Sequence, residues 1–395
     1  MYLDLSGSGN DTLKASYFAD TVIYIPLETT PKSLLGPIRQ IWADDSTILI
    51  DNWKSGLCLF GKDGRFIRRI GEIGNGPGEY LSIFHFDVIH DTIYVSSTNR
   101  KGFLRYTFEG IFCDEIDLNY QPVVFTTTVD QKMACYIQEE GKILVYNENF
   151  QSPDTIIVDY GVTDGRYKWG IYNYDFQPYL QKGLMGLLYN NYRTDTIWQI
   201  KGNKKEPAYI LNLKDELLPY DKQVEFSQGD FQKWDQMVQS FRYTHIIPYK
   251  SLVLILMSRW GIRTSESPLG YEAIYIANNN TGETKKFNTS YFFDDMVSKL
   301  KISEKRSGCI YAMVSENYIV SAVSPSNVLD HIKKVNGESE NAPSAQWIEQ
   351  MSSIKEDDNP ILVLMKVKNY QELPTDSDRS IDSVRSSQHP APSNQ

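Results

Sequence analysis

The chain has 395 residues, of which 41% are hydrophobic, 23% charged and 13% aromatic, and its formal net charge is −10. That length suits two domains or one large domain built from repeats better than a single ordinary core. No stretch gathers the Lys and Arg that would displace counterions from phosphates, which argues against a nucleic-acid partner, and no apolar run reaches the roughly 18 residues of a membrane-spanning helix.

In chain order, residues 1–20 open polar, with SGSGNDTLKAS at 6–16, and read as a tether; no signal peptide precedes Tyr2. TVIYIPLET (21–29) is strand-like but belongs to no unit of its own. Residues 38–70 then give four short strand-like runs, at about 38–43, 47–51, 56–60 and 65–70, separated by DDS, NWKSG and the hairpin signal KDG. Residues 83–117 repeat the plan. TILIDNWKSGLCLFGKDGRF aligns with TIYVSSTNRKGFLRYTFEGIF, Gly64 over Gly110 and Phe66 over Phe112, at an offset of roughly 46 residues that matches propeller blades.

A third unit follows in VVFTTTV, KMACYI, KILVYNENF and DTIIVDY, and a fourth in QPYLQ, LMGLLYN, DTIWQI and PAYILNL. The fifth holds YTHIIP, SLVLILM and EAIYIANNNTGETKKF. The last has CIYAMV and NYIVSAV, then a long insertion, then PILVLMKVK as only a third strand. TVIYIPLET supplies the missing fourth strand, closing a ring and removing exposed edges. The fold expected is therefore all-β, a six-bladed β-propeller over residues 21–370 with four-stranded antiparallel blades. Helical spacing appears in insertions at about 213–242 and 325–358, notably QGDFQKWDQMVQSF, SPSNVLDHIKKV and PSAQWIEQMSSI. Residues 371–395 are Ser-, Asp- and Pro-rich and are expected to be disordered.

GEIGNGPGEY (71–80) lies between the first two units. It lacks the helix start of a dinucleotide fingerprint and the Lys of a P-loop. Gly74, Gly76, Pro77 and Gly78 instead suit a chain turning from the outer edge of one blade to the channel of the next, with Glu79 pinning loose backbone N–H groups. Cys58, Cys113, Cys135 and Cys309 form no C-x-x-C pair, so zinc-ribbon and thioredoxin-like chemistry are unsupported. The first three lie in strand-like apolar runs and are expected to be small buried hydrophobes.

IPLETTPKSLLGPI, GLCLFGKDGRFIRRIGEIGNGPGEY and the closing NPILVLMKVK resemble the six-bladed β-propeller proteins of Bacteroidetes, distantly similar to NHL-repeat propellers. The resemblance implies an exported protein of the periplasm or outer-membrane surface, often lipid-anchored through a leader that this sequence does not show. It establishes no activity for most of the family.

Two kinds of site are readable. Loops that share one face of such a propeller carry Trp53, Arg100, Trp169, Tyr192, Arg193, Arg259 and Trp260, which pair flat apolar rings with forked donors suited to a glycan, peptide or protein. His85, with Asp87 on its face, and His245 fall on the innermost strands of the second and fifth units, where they could hold a channel Ca or Zn ion. No G-x-S-x-G elbow is present. The expected function is a monomeric, non-catalytic envelope propeller that binds or scaffolds, without a cofactor. The alternative is a channel-metal-dependent lyase or lactonase of NHL-like type.

Overall fold

The computed structural model describes residues 1–368 except 8, 10, 129, 138–140, 148, 158–178, 184–185, 191–193, 214–217, 228–231, 234–235, 237–241, 250–251, 260–272, 303–310, 316–317 and 336–341. Six small antiparallel sheets follow one another along the chain. Blade one comprises Ile38–Ala43, Thr47–Asn52, Gly56–Gly61 and Phe66–Ile70. Blade two comprises Ile83–Ile89, Thr92–Ser97, Gly102–Tyr106 and Phe112–Asp117. Blade three is built from Val124–Thr127, Met133–Ile137, Lys142–Tyr146 and Asp154–Ile157. Blade four uses Tyr179–Gly183, Gly186–Asn190, Thr196–Lys201 and Lys204–Asn212, and blade five Arg242–Tyr249, Leu252–Arg259, Ala273–Asn278 and Thr284–Phe293. Blade six takes Tyr311–Ser315, Tyr318–Val323 and Ile361–Val367, completed on its outer edge by Ala19–Pro26. The six-bladed ring and its N-terminal closing strand are as the sequence implies.

Blades bury both faces, so their middle strands read as continuous apolar runs instead of alternating ones. In blade one Ile48, Ile50, Cys58 and Phe60 pack toward blade six, whereas Leu49, Leu57 and Leu59 pack toward blade two. Among the described residues the core divides into six clusters, and each spans one blade–blade junction.

The glycine shared by the first two repeats has a structural reason. Gly64 (φ +83°) and Gly110 (φ +77°) end equivalent hairpins, and each rests on the outer strand of the preceding blade. A Cβ on Gly64 would lie 2.1 Å from the Pro26 carbonyl oxygen, and one on Gly110 would lie 3.2 Å from that of Arg69.

The opening residues are laid down as a strap, where composition pointed to a tether. Tyr2–Asp4 adds a parallel fifth strand to blade four, in register from Tyr2 with Ile210 to Asp4 with Asn212. Thr12–Lys14 pairs in parallel with the outer strand of blade five. The polar residues between them obscure three leucines, Leu3, Leu5 and Leu13, all buried; each such burial stabilises by about 1.5–3 kcal/mol. Ser16 then donates from both N–H and Oγ to Asp295 before the chain enters blade six. The strap thus runs along the rim of blades four, five and six in turn.

Helices Pro325–Val335 and Ala345–Met351 occupy the insertion of blade six and bury Val328, Trp347 and Met351 against blades five and six. A further helix, Tyr220–Ser227, precedes QGDFQKWDQMVQSF, most of which lies outside the described residues, as do residues 371–395. Cys58 and Cys135 are buried as expected, but Cys113 is exposed, because it sits on the outermost strand of blade two.

If ring closure holds the fold, Ile25→Ala on the closing strand is expected to cost about 2–5 kcal/mol in urea unfolding, as buried Ile truncations do. Asp20→Ala, exposed on the same strand, is expected to stay within about 0.5 kcal/mol.

Candidate functional site

The best-defined part of the loop face is the junction of blades one and two. The turn after Thr47–Asn52 is organised by Asn52, whose Oδ1 accepts from Gly36 N–H (3.1 Å), Lys54 N–H (3.1 Å) and Ser55 N–H (3.0 Å). Its Nδ2 donates to the Gly56 carbonyl at 2.8 Å. Trp53 N–H donates to the Pro37 carbonyl at 3.1 Å, so the backbone that presents this indole is tied on both sides. The side chain of Trp53 is nevertheless 68% exposed.

Arg39 stands behind it. The pairing of Ile38–Ala43 with Thr47–Asn52 skips a residue between Ile38 and Gln40, and such a bulge re-aims the side chain it carries. The Arg39 guanidinium sits 4.6 Å from the centre of the Trp53 ring. Nη2 donates to Asp51 Oδ1 at 2.7 Å, and Nη1 donates to Ser82 Oγ (3.1 Å) and the Ile83 carbonyl (3.0 Å). Arg39 Nε makes no hydrogen bond among the described residues. Asp51 is only 2% exposed; burial pushes its carboxyl up to about 6, against the opposing pull of Arg39. Trp53 is therefore a flat apolar surface backed by a guanidinium that is itself clamped between two blades.

The glycine loop beside it is rigid and internally satisfied. Gly71 and Gly78 have positive φ, +68° and +70°. Gly74 and Gly76 do not, and are needed for another reason. Glu79 folds back over them, accepting from Gly76 N–H at 2.7 Å, and a Cβ on Gly74 would lie 2.1 Å from its Oε2. Tyr80 OH donates to the Ile70 carbonyl at 2.7 Å, and Tyr106 OH donates to that of Gly78 at 2.9 Å. Arg100 caps the loop, donating to the carbonyls of Asn75 (3.3 Å), Gly76 and Glu79 (3.1 Å) and pairing with Glu115 at 3.4 Å. Its guanidinium holds the loop.

Of the other loop-face residues, Trp169, Tyr192, Arg193 and Trp260 lie outside the described residues, and so does the side chain of Arg259. His85 and Asp87 share one face of the innermost strand of blade two, turned to blade three. His85 bonds the Phe125 main chain and packs edge-on against its ring at 4.9 Å. It is half-buried on the channel wall, and desolvation lowers its pKa to about 4. Asp87 accepts from Val88 N–H at 2.8 Å and Thr126 Oγ at 2.9 Å. Gln40, at the equivalent position of blade one, does what His85 does, bonding both N–H (3.2 Å) and C=O (2.7 Å) of Phe86. His85 is thus a blade-to-blade bridge by position. Among the described residues no group of three or more His, Cys, Asp or Glu comes together to hold a metal, and the side chain of His245 lies outside them.

The family described as a domain of unknown function, DUF4934, matches residues 3–366. The chain belongs to the DUF4934 family. A candidate exported protein (BF0058) of Bacteroides fragilis NCTC 9343 is similar in structure, with a TM-score of 0.65 and 16% identity over 93% of this chain and 99% of that one. A DUF4221 member from Bacteroides vulgatus ATCC 8482 gives 0.43 at 12% identity, covering 89% of this chain and 98% of that one. An inactive virginiamycin B lyase variant from Staphylococcus aureus, solved with quinupristin, gives 0.41 at 11%, covering 87% and 99%. At those last two scores the likeness carries no argument. No curated protein matches the sequence. Among the described residues of this DUF4934 chain no helix is long and apolar enough to cross a membrane.

Two outcomes test this geometry. Arg100→Ala is expected to lower stability by about 1.5–3 kcal/mol, the range for hydrogen bonds to a charged group, and to speed amide exchange in residues 71–82. The raised pKa of Asp51 means that the folded state binds its proton more tightly than the unfolded chain does. Its contribution therefore favours folding below the unfolded value of 3.8 and is lost as pH rises through about 6. Unfolding free energies of wild type relative to Asp51→Asn are expected to fall across that window by up to about 3 kcal/mol.

Proposed function

We propose that this DUF4934 chain is a non-catalytic binding or scaffold propeller of the bacterial envelope, working as a monomer without a cofactor. Its ligand is a glycan, a peptide or a protein segment, bound on the loop face around the channel mouth. The observation that carries the reading is Trp53: a tryptophan two-thirds exposed, on a turn fixed by Asn52, with its rear face occupied by a clamped Arg39. An exposed ring held in one orientation offers area for stacking with little entropy left to lose on binding. Likeness to a candidate exported protein supports placement in the periplasm or on the outer-membrane surface.

Glycan and peptide arrays probed with purified protein test the reading. Binders are expected, and Trp53→Ala is expected to weaken them by more than about 30-fold, the size of an interface hot spot. Ile111→Ala, exposed in the outer hairpin of blade two, is expected to leave them unchanged. An array without binders, or binders indifferent to Trp53→Ala, would sink it.

A further inference from the structure

The support beneath Trp53 is an ion pair with an unusual balance. Asp51 is almost wholly enclosed, and its cationic partner is Arg39, held through a single nitrogen at 2.7 Å. From the other elements around it, Cys58 on the third strand of blade one and Tyr80 at the end of the glycine loop lie close enough to feel its charge. Neither is a cation. Arg39, in turn, has Asp51 as its only anionic partner among the described residues, since its remaining bonds go to a hydroxyl and a carbonyl.

We propose that the Asp51–Arg39 pair is a proton-operated latch, in which ionised Asp51 fixes Arg39 behind Trp53 and protonated Asp51 releases it. One proton passes from solvent to an Asp51 carboxylate oxygen, and no other bond is made. The Arg39–Asp51 contact then ceases to be an ion pair, leaving a partly buried guanidinium without a counter-charge and with Nε unbonded. Swinging toward solvent relieves that state and removes the backing of the Trp53 ring. Burial places the change near pH 6, within reach of mildly acidic surroundings. His85, on the innermost strand of blade two, titrates near 4 and faces blade three. The latch rests on Trp53 being the ligand platform for its use, but it operates without any ligand.

Protein labelled with 5-fluorotryptophan tests it, the Trp53 fluorine resonance being assigned by its absence in Trp53→Phe. Between about pH 7.5 and about pH 4.5 that resonance is expected to move with one midpoint near 6. In Asp51→Asn it is expected to sit at the low-pH position throughout, and Arg39→Gln, which leaves the carboxylate in place, gives a second reading if the first variant does not fold. A Trp53 resonance that stays in place over this range overturns the latch, as does a transition that survives in either variant. Because no ligand is present, failure here is distinct from failure of the arrays.

Discussion

The pairing of Ala19–Pro26 with Ile361–Val367 is the constraint on which the molecule depends. It joins residues near the two ends of the described chain, and with it every blade has two neighbours and no inner junction is open. The loop face at blades one and two is tied to that closure by a traceable route. The residues after the closing strand are fixed by Asn359, whose Nδ2 donates to the carbonyls of Glu28 (2.7 Å) and Ser33 (2.9 Å) and whose Oδ1 accepts from Leu35 N–H at 2.9 Å. Gly36 then bonds Asn52, and Pro37 receives Trp53 N–H. A side chain in blade six thereby sets the platform of blade one within four links.

The same repeat position does different chemistry in successive blades. Both innermost strands of blades one and two carry a skipped residue near their start, at Arg39 and at Phe84. The position after it bridges to the next blade in both cases, through Gln40 in one and His85 in the other. A histidine judged alone invites a metal; judged against its repeat partner it is one of two side chains that satisfy a neighbouring backbone. At the bulge itself the chemistry diverges. Arginine at that position in blade one brings a charge to the channel mouth, and its counter-charge, Asp51, aligns with Ser96 in blade two, whose hydroxyl merely bonds the His85 carbonyl.

Much of the fold was legible because strand length, turn chemistry and repeat spacing agree in blades one and two and identify the orphan TVIYIPLET as a closing strand. The strap was not, because three-residue parallel strands leave no periodic signal and three leucines are diluted by Ser, Gly and Asn. Trp53 was legible as an exposed loop aromatic. Arg39 and Asp51 were not: IRQIWA and TILID read as ordinary strands, and only a neighbouring blade determines that these two charges are enclosed together. The bonds that Arg100 makes to the loop were not legible for a related reason. A loop arginine beside glycines looks free, yet glycine-rich turns expose carbonyls that need a donor, and Arg100 supplies it.

That need explains why the junction of blades one and two tolerates a carboxylate it would be easier to omit. A buried Asp is unfavourable in its charged form, and an apolar residue at position 51 would pack between the blades without that penalty. The arginine is what makes the acid necessary. Arg39 secures blade one to the start of blade two through Ser82 and Ile83 and backs the indole at the same time, so a partly enclosed cation has to be balanced. A neutral pair could join the blades, as Gln40 does one residue later, but it could not hold an aromatic face by charge. The ion pair is therefore accounted for by the orientation of Trp53 more than by the stability of the ring, and residues retained against a local penalty are where function is to be sought.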